Sequence, residues 1–162
     1  MATIRDRAGE FLAQKRIAVA GVSRQGDTAA NVVYRKLRGA GYAVFAVNPN
    51  TTQVEGDRCY PDLRSIPGGV EAVVVATHPS VSEKIVRECA EVGVSRVWLH
   101  RAIGRGSVSP AALAFCAEKG MSIIPGGCPM MFCEPVDFGH KCMRWVLGVT
   151  GGLKLGNGSH DR

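Results

Sequence analysis

Arg16 to Arg38 reads RIAVAGVSRQGDTAANVVYRKLR, and this stretch decides the fold. Ile17, Ala18, Val19 and Ala20 form an unbroken apolar run, which suits a strand covered on both faces of a parallel sheet. Gly21 ends it. Beyond the turn, Val32, Val33, Lys36 and Leu37 fall at the three-and-four spacing of a helix lying on a sheet. A strand that feeds a helix through a Gly/Ser turn aims backbone N–H groups and the positive end of the helix dipole at one point, which suits phosphate.

The turn departs from the common dinucleotide pattern G-x-G-x-x-G, reading instead Gly21, Val22, Ser23, Arg24, Gln25, Gly26. Serine in the middle position holds a ligand further from the backbone but offers a hydroxyl, and Arg24 adds a charge-assisted fork for phosphate. The plainer reading is that Ser23 shapes the turn and Arg24 is solvated. An NAD site usually places an acid at the end of the second strand, where this chain has Val47, Asn48 and Pro49. Neither that acid nor an arginine for a 2′-phosphate is present there. No G-x-x-x-x-G-K-[ST] occurs either, which argues against a P-loop nucleotidase.

Working outward, Thr3 to Gln14 places Ile4, Ala8, Phe11 and Leu12 on one face of a short helix. Ala43 to Val47 is the second strand, stopped by Asn48-Pro49-Asn50, and Thr51 to Gly69 reads as polar and irregular with one helical turn near Asp62. Ala72 to Ala76 is the third strand, followed by Thr77-His78-Pro79-Ser80. The next helix carries the stripe Val81, Ile85, Cys89, Val92, with Ser80 or Ser82 as its cap. Arg96 to His100 and Met121 to Ile124 are the fourth and fifth strands, separated by a helix that Ser109 caps and Pro110 opens.

Strands alternating with helices predict an α/β, doubly wound Rossmann-like domain over residues 1–150, with a five-stranded parallel sheet in the order 3-2-1-4-5. Ligands bind beyond the carboxyl ends of such strands, so the loops Gly21–Gly26, Asn48–Asn50 and Thr77–Ser80 are expected to meet. A last helix is expected from Pro135 to Val146, with Phe138, Cys142, Trp145 and Val146 on one face, before a flexible tail over 151–162.

The net charge of +6 favours an anionic partner, but Lys and Arg are scattered, and 6% aromatics leave few stacking platforms, so nucleic acid is not expected. No apolar run is long enough for a membrane span and the first residues lack a signal-peptide core, so a cytoplasmic protein with mostly free thiols is expected. Homo-oligomerisation or a protein partner stays open.

IAVAGVS at the first turn, VFAVNPN after the second strand, the block GDRCYPDLRSIP, VVVATHP and VWLH together resemble the small CoA-binding proteins. Their fold is shared with the CoA-binding domain of the succinyl-CoA synthetase alpha subunit. The resemblance covers roughly Ala13 to Met130 and implies coenzyme A or an acyl-CoA as ligand. It implies that Gly21, Val22, Ser23 and Arg24 face the pyrophosphate, that Val47, Asn48 and Pro49 border the adenosine end, and that Thr77, His78 and Pro79 flank the other side. Where relatives often have an RRP-like or PPP-like triplet after the third strand, this chain has His78 before Pro79, which leaves the phosphates' charge partner open. The synthetases phosphorylate a histidine in a further domain for which these 162 residues have no room, so synthetase activity is not implied.

His78 and His100 both follow buried strands at the ligand edge, where a general base would sit, though such histidines more often hydrogen-bond a ligand or loop carbonyl. Cys128, Cys133, His140 and Cys142 could suit a metal, but their spacing matches no common site and their surroundings are apolar, so no metal is expected. The reading is a non-catalytic CoA-binding, carrier or sensor module. An acyl-CoA enzyme using His78, His100 or a tail cysteine, and an NAD-linked redox protein, are the alternatives.

Overall fold

The computed structural model describes residues 2–101 and 106–149; the tail expected over 151–162 lies outside them. Helix α1 (Ile4–Leu12) opens with a capping box in which Thr3 and Asp6 satisfy each other's backbone N–H groups. Strand β1 (Arg16–Ala20) leads through the glycine turn into α2 (Ala29–Gly39), capped by Thr28. Strand β2 (Ala43–Val47) is followed by a hairpin of β3 (Gln53–Val54) and β4 (Asp57–Tyr60), and then by β5 (Ala72–Val75). Helix α3 (Pro79–Glu91), strand β6 (Arg96–Leu99), helix α4 (Pro110–Glu118) and strand β7 (Ser122–Pro125) continue the alternation. A 3-10 turn at Pro129–Met131 precedes α5 (Phe138–Val149).

The fold is Rossmann-like, with one seven-stranded sheet in the order β3-β4-β2-β1-β5-β6-β7, in which only β3 pairs antiparallel. This corrects the expected five strands in the order 3-2-1-4-5. Ala72–Val75 does not lie outside β2; it pairs with β1 on the opposite side, and the place beside β2 goes to β4. The run DRCY escapes a search for apolar strands because it pairs with β2 only through Ala46↔Cys59 and Val47↔Tyr60, and buries Cys59 while Arg58 stays exposed. Its hairpin turn is Glu55-Gly56, with φ of 54° and 80°, the left-handed pair of a two-residue connection. The usual Asn or Asp is missing from that pair, so the signal rested on Gly56 alone.

The sheet is covered on both faces, which explains the unbroken apolar run in β1. Ile17 and Val19 face a cluster built with Phe11, Val33, Leu37 and Trp98, whereas Ala18 and Ala20 face one built with Val73, Val75, Val86 and Cys89. Trp98 is fully buried, meets Phe11 edge-on at 5.4 Å, and its indole N–H donates to the Gly126 carbonyl at 3.1 Å. Among the described residues, no helix is long and apolar enough to cross a membrane.

Candidate functional site: a crevice at the carboxyl edge

Three loops beyond β1, β2 and β5 meet. The Gly21 N–H donates to the Val47 carbonyl at 3.0 Å and the Ala76 N–H to the Ala20 carbonyl at 2.9 Å, so the ladder runs on past the strands' ends. Gly21 has φ of 104°, and a Cβ there would lie 2.4 Å from the Ala76 oxygen. Only glycine permits both the conformation and this approach of turn to strand. Asn48 ties the second loop to the first: its side-chain amide donates to the Val22 carbonyl at 2.9 Å, while its backbone N–H donates to Tyr60 at 2.9 Å. The residue standing where an NAD site has an acid is thus a structural brace.

The first turn is held from below by Asn31, which is fully buried in α2. Its Oδ1 accepts the Ser23 N–H at 2.9 Å, and its Nδ2 donates to the Ser23 carbonyl at 2.7 Å and to Glu55 at 2.6 Å. Arg35 donates to the same Glu55 oxygen at 2.8 Å. The hairpin β3–β4 therefore buttresses the turn, and the carboxylate of Glu55 is fixed at its strained position. Ser23 uses its hydroxyl to accept the Gln25 N–H at 3.1 Å, which is the turn-shaping role, and Arg24 is exposed.

Helix α3 supplies the other wall. Its cap is His78, not Ser80 or Ser82 as expected: Nδ1 accepts the Ser80 N–H at 3.3 Å and lies 2.8 Å from the Ser80 hydroxyl. Pro79 at the first helical position turns the chain so that an imidazole can do what a serine usually does. Ser82 is instead buried, donating to the Ser107 carbonyl at 2.6 Å, and Ser107 in turn donates to the Thr77 carbonyl at 2.7 Å. His100 is buried behind this wall, with its carbonyl accepting the Ser107 N–H at 2.8 Å; burial pushes its imidazole pKa below the ordinary value. It does not line the crevice.

The crevice itself is a cavity of about 320 Å³, of the size that holds part of a small molecule. Of the expected site residues, Gly21, Val47, Asn48, Pro49 and Thr77 line it, whereas Val22, Ser23, Arg24, His78 and Pro79 do not; Pro61, Asp62, Val81, Lys84, Ile85 and Glu88, none of them an expected site residue, also line it. The stripe on α3 is rotated from its expected face: Ser82, Ile85, Val86 and Cys89 are buried, while Val81 and Val92 are 42% and 36% exposed. Val81, Lys84, Ile85 and Glu88 stand at i, i+3, i+4 and i+7, the spacing of one helix face. The Thr77 hydroxyl is buried at this edge without a hydrogen-bond partner, and an orphaned polar atom beside a cavity marks a place for a ligand or solvent atom. Donor groups, an apolar floor and this orphan fit a nucleotide.

The tail cysteines do not join the crevice. Cys128 and Cys133 are buried, Cys142 is exposed on α5, and His140 pairs with Asp137 at 2.6 Å. Burial pushes the Cys128 thiol up to about 11 and raises Cys133 as well, so neither is poised as a thiolate at neutral pH. Among the described residues, no group of three or more His, Cys, Asp or Glu side chains is placed to hold a metal.

A family model described as a CoA binding domain matches residues 15–134. Over 80 residues the chain is 32% identical to acetate–CoA ligase (ADP-forming) I of Archaeoglobus fulgidus, covering 49% of this chain but only 12% of the ligase. It is 28% identical over 114 residues to the uncharacterized protein YneT of Bacillus subtilis, covering 70% of this chain and 82% of YneT. A hypothetical protein from Pyrococcus horikoshii superposes with a TM-score of 0.74 at 28% identity, covering 82% of this chain and 91% of that one.

Proposed function

The chain belongs to the CoA binding domain family, and from that premise we propose that its carboxyl-edge crevice holds coenzyme A or an acyl-CoA as a binding, carrier or sensor module, without catalysing a reaction on it. One observation carries the reading: the cavity lies between the first turn and α3, with the Asn48 amide spent on the Val22 carbonyl where NAD would need a carboxylate. Gly21 to Arg24 face the pyrophosphate, Val47, Asn48 and Pro49 border the adenosine, and Thr77 to Pro79 flank the cofactor's other side. His100, whose carbonyl accepts the Ser107 N–H, supports the wall behind the crevice without lining it. When bound, CoA supplies a thiol or thioester at the far end of its arm; the chain's own residues bind and orient it.

The non-catalytic reading draws on how the reactive groups are employed. His78 is engaged as a helix cap, burial disfavours the charged form of His100, and burial raises the tail thiols Cys128 and Cys133. The acetate–CoA ligase is eight times longer than the stretch it shares with this chain, so its activity is not carried over. Calorimetry with CoA and NAD tests the proposal. CoA is expected to bind with measurable heat and NAD to give none and not to compete; binding of NAD with no heat from CoA would overturn it.

A further inference from the structure

Resting on the CoA reading, we propose that Lys84 is the cation that takes the 3′-phosphate of the bound cofactor. Thr77-His78-Pro79 leaves the end of β5 without a permanent positive charge. Helix α3 makes up for it on its second turn, because Val81, Lys84, Ile85 and Glu88 share the face that walls the cavity. Lys84 also lines an adjoining outer cavity of about 640 Å³, which Gly21 and Asn48 do not reach. Lys84 therefore stands, with Pro49, Pro61, Asp62 and Glu88, where the two cavities adjoin. A pyrophosphate at Gly21–Arg24 leaves that junction to the phosphate carried on the ribose.

The state of the neighbouring charges sharpens the assignment. Every other charged residue lining the outer cavity already has a partner. Arg64 pairs with Glu91, and Arg87 pairs with Glu83 at 2.8 Å. Glu88 accepts the Leu63 N–H at 2.8 Å, and Asp62 accepts the N–H and hydroxyl of Ser65 at 2.8 and 2.6 Å. Lys84 has none among the described residues. Arg64 and Arg87 are each held by a carboxylate, so Lys84 is the one cation of this wall, among the described residues, whose charge is free to meet a phosphate. A lysine, a compact point charge with three rotatable donors, suits a phosphate monoester reached from one side.

The test compares CoA with dephospho-CoA by calorimetry on the wild-type chain, Lys84→Met and Lys84→Arg, with melting curves run alongside. Lys84 is exposed, so Lys84→Met is expected to melt as the wild type does. The wild type should prefer CoA. Lys84→Met should weaken CoA by roughly tenfold and dephospho-CoA by no more than about twofold, collapsing the preference, while Lys84→Arg should keep most of it. Arg24→Ala, at the pyrophosphate, should weaken both ligands by the same factor. Equal losses for both ligands in Lys84→Met, or an undiminished preference for CoA, would overturn the assignment while leaving the CoA reading intact. A wild-type chain that binds neither ligand would overturn both.

Discussion

Helices α2 and α5 are nearly equal in length, 11 and 12 residues, and both are amphipathic, yet the molecule uses them in opposite ways. Helix α2 buries Ala30, Asn31, Val33, Tyr34 and Leu37, and its single buried amide holds the first turn of the crevice. Helix α5 buries no residue; Met143 and Leu147 rest against the core while Phe138 and Trp145 are 81% and 70% exposed. The difference teaches that apolar periodicity identifies a helix without saying which face is covered. What supports the crevice from α2 is a buried polar side chain, Asn31, with every hydrogen-bond partner supplied.

The largest effect expected from breaking the contrast comes at the point that α2 and Asn31 support. Gly21→Ala would place a methyl group 2.4 Å from the Ala76 carbonyl in a backbone conformation that L residues resist. A loss of about 3 kcal/mol, combining strain and overpacking, is expected in denaturant unfolding. Next comes Asn31→Ala, which strands the Ser23 N–H and carbonyl and removes a partner of Glu55. It should cost about 2 kcal/mol in the same assay and loosen ligand binding as well.

A smaller, pH-dependent effect belongs to His100. Burial holds its folded pKa below the ordinary imidazole value of about 6.5. As pH falls through 6.5 the unfolded chain takes up the proton first, so stability is full above that value and declines below it. Melting temperature should drop between about pH 7.5 and pH 5.5, and His100→Gln should flatten that part of the profile. Smallest of all is Trp145→Ser on α5, whose ring is mostly in solvent: a change within about 0.5 kcal/mol, read from urea curves, is expected.

Much of this was legible from residues alone. The runs at Ile17, Val44 and Val73 gave strands, Gly21 gave the turn, and Ser109-Pro110 gave a helix start, because each is a local signal whose physics is complete within a few residues. Three features were not. Strand β4 is polar and short, and exists because β2 offers it an open edge. His78 caps α3 through a rotamer that no spacing reveals. Asn31 sits inside a helical pattern where an amide usually faces solvent, and its worth lies in contacts with Ser23 and Glu55, which are 8 and 24 positions away. Lys84 stands beside Val81 and Ile85 at helical spacing, but a lone lysine on a helix carries no local signal that a cavity lies beside it.

Amide chemical-shift mapping with CoA tests the central claim most directly, since it reads both helices in one experiment. Titration is predicted to move the N–H signals of Gly21 to Gly26, Asn48, Asn50 and Thr77 to Lys84, other than the prolines, and to leave those of Phe138 to Val149 in place. Shifts concentrated on α5, with the carboxyl-edge loops silent, would contradict the account.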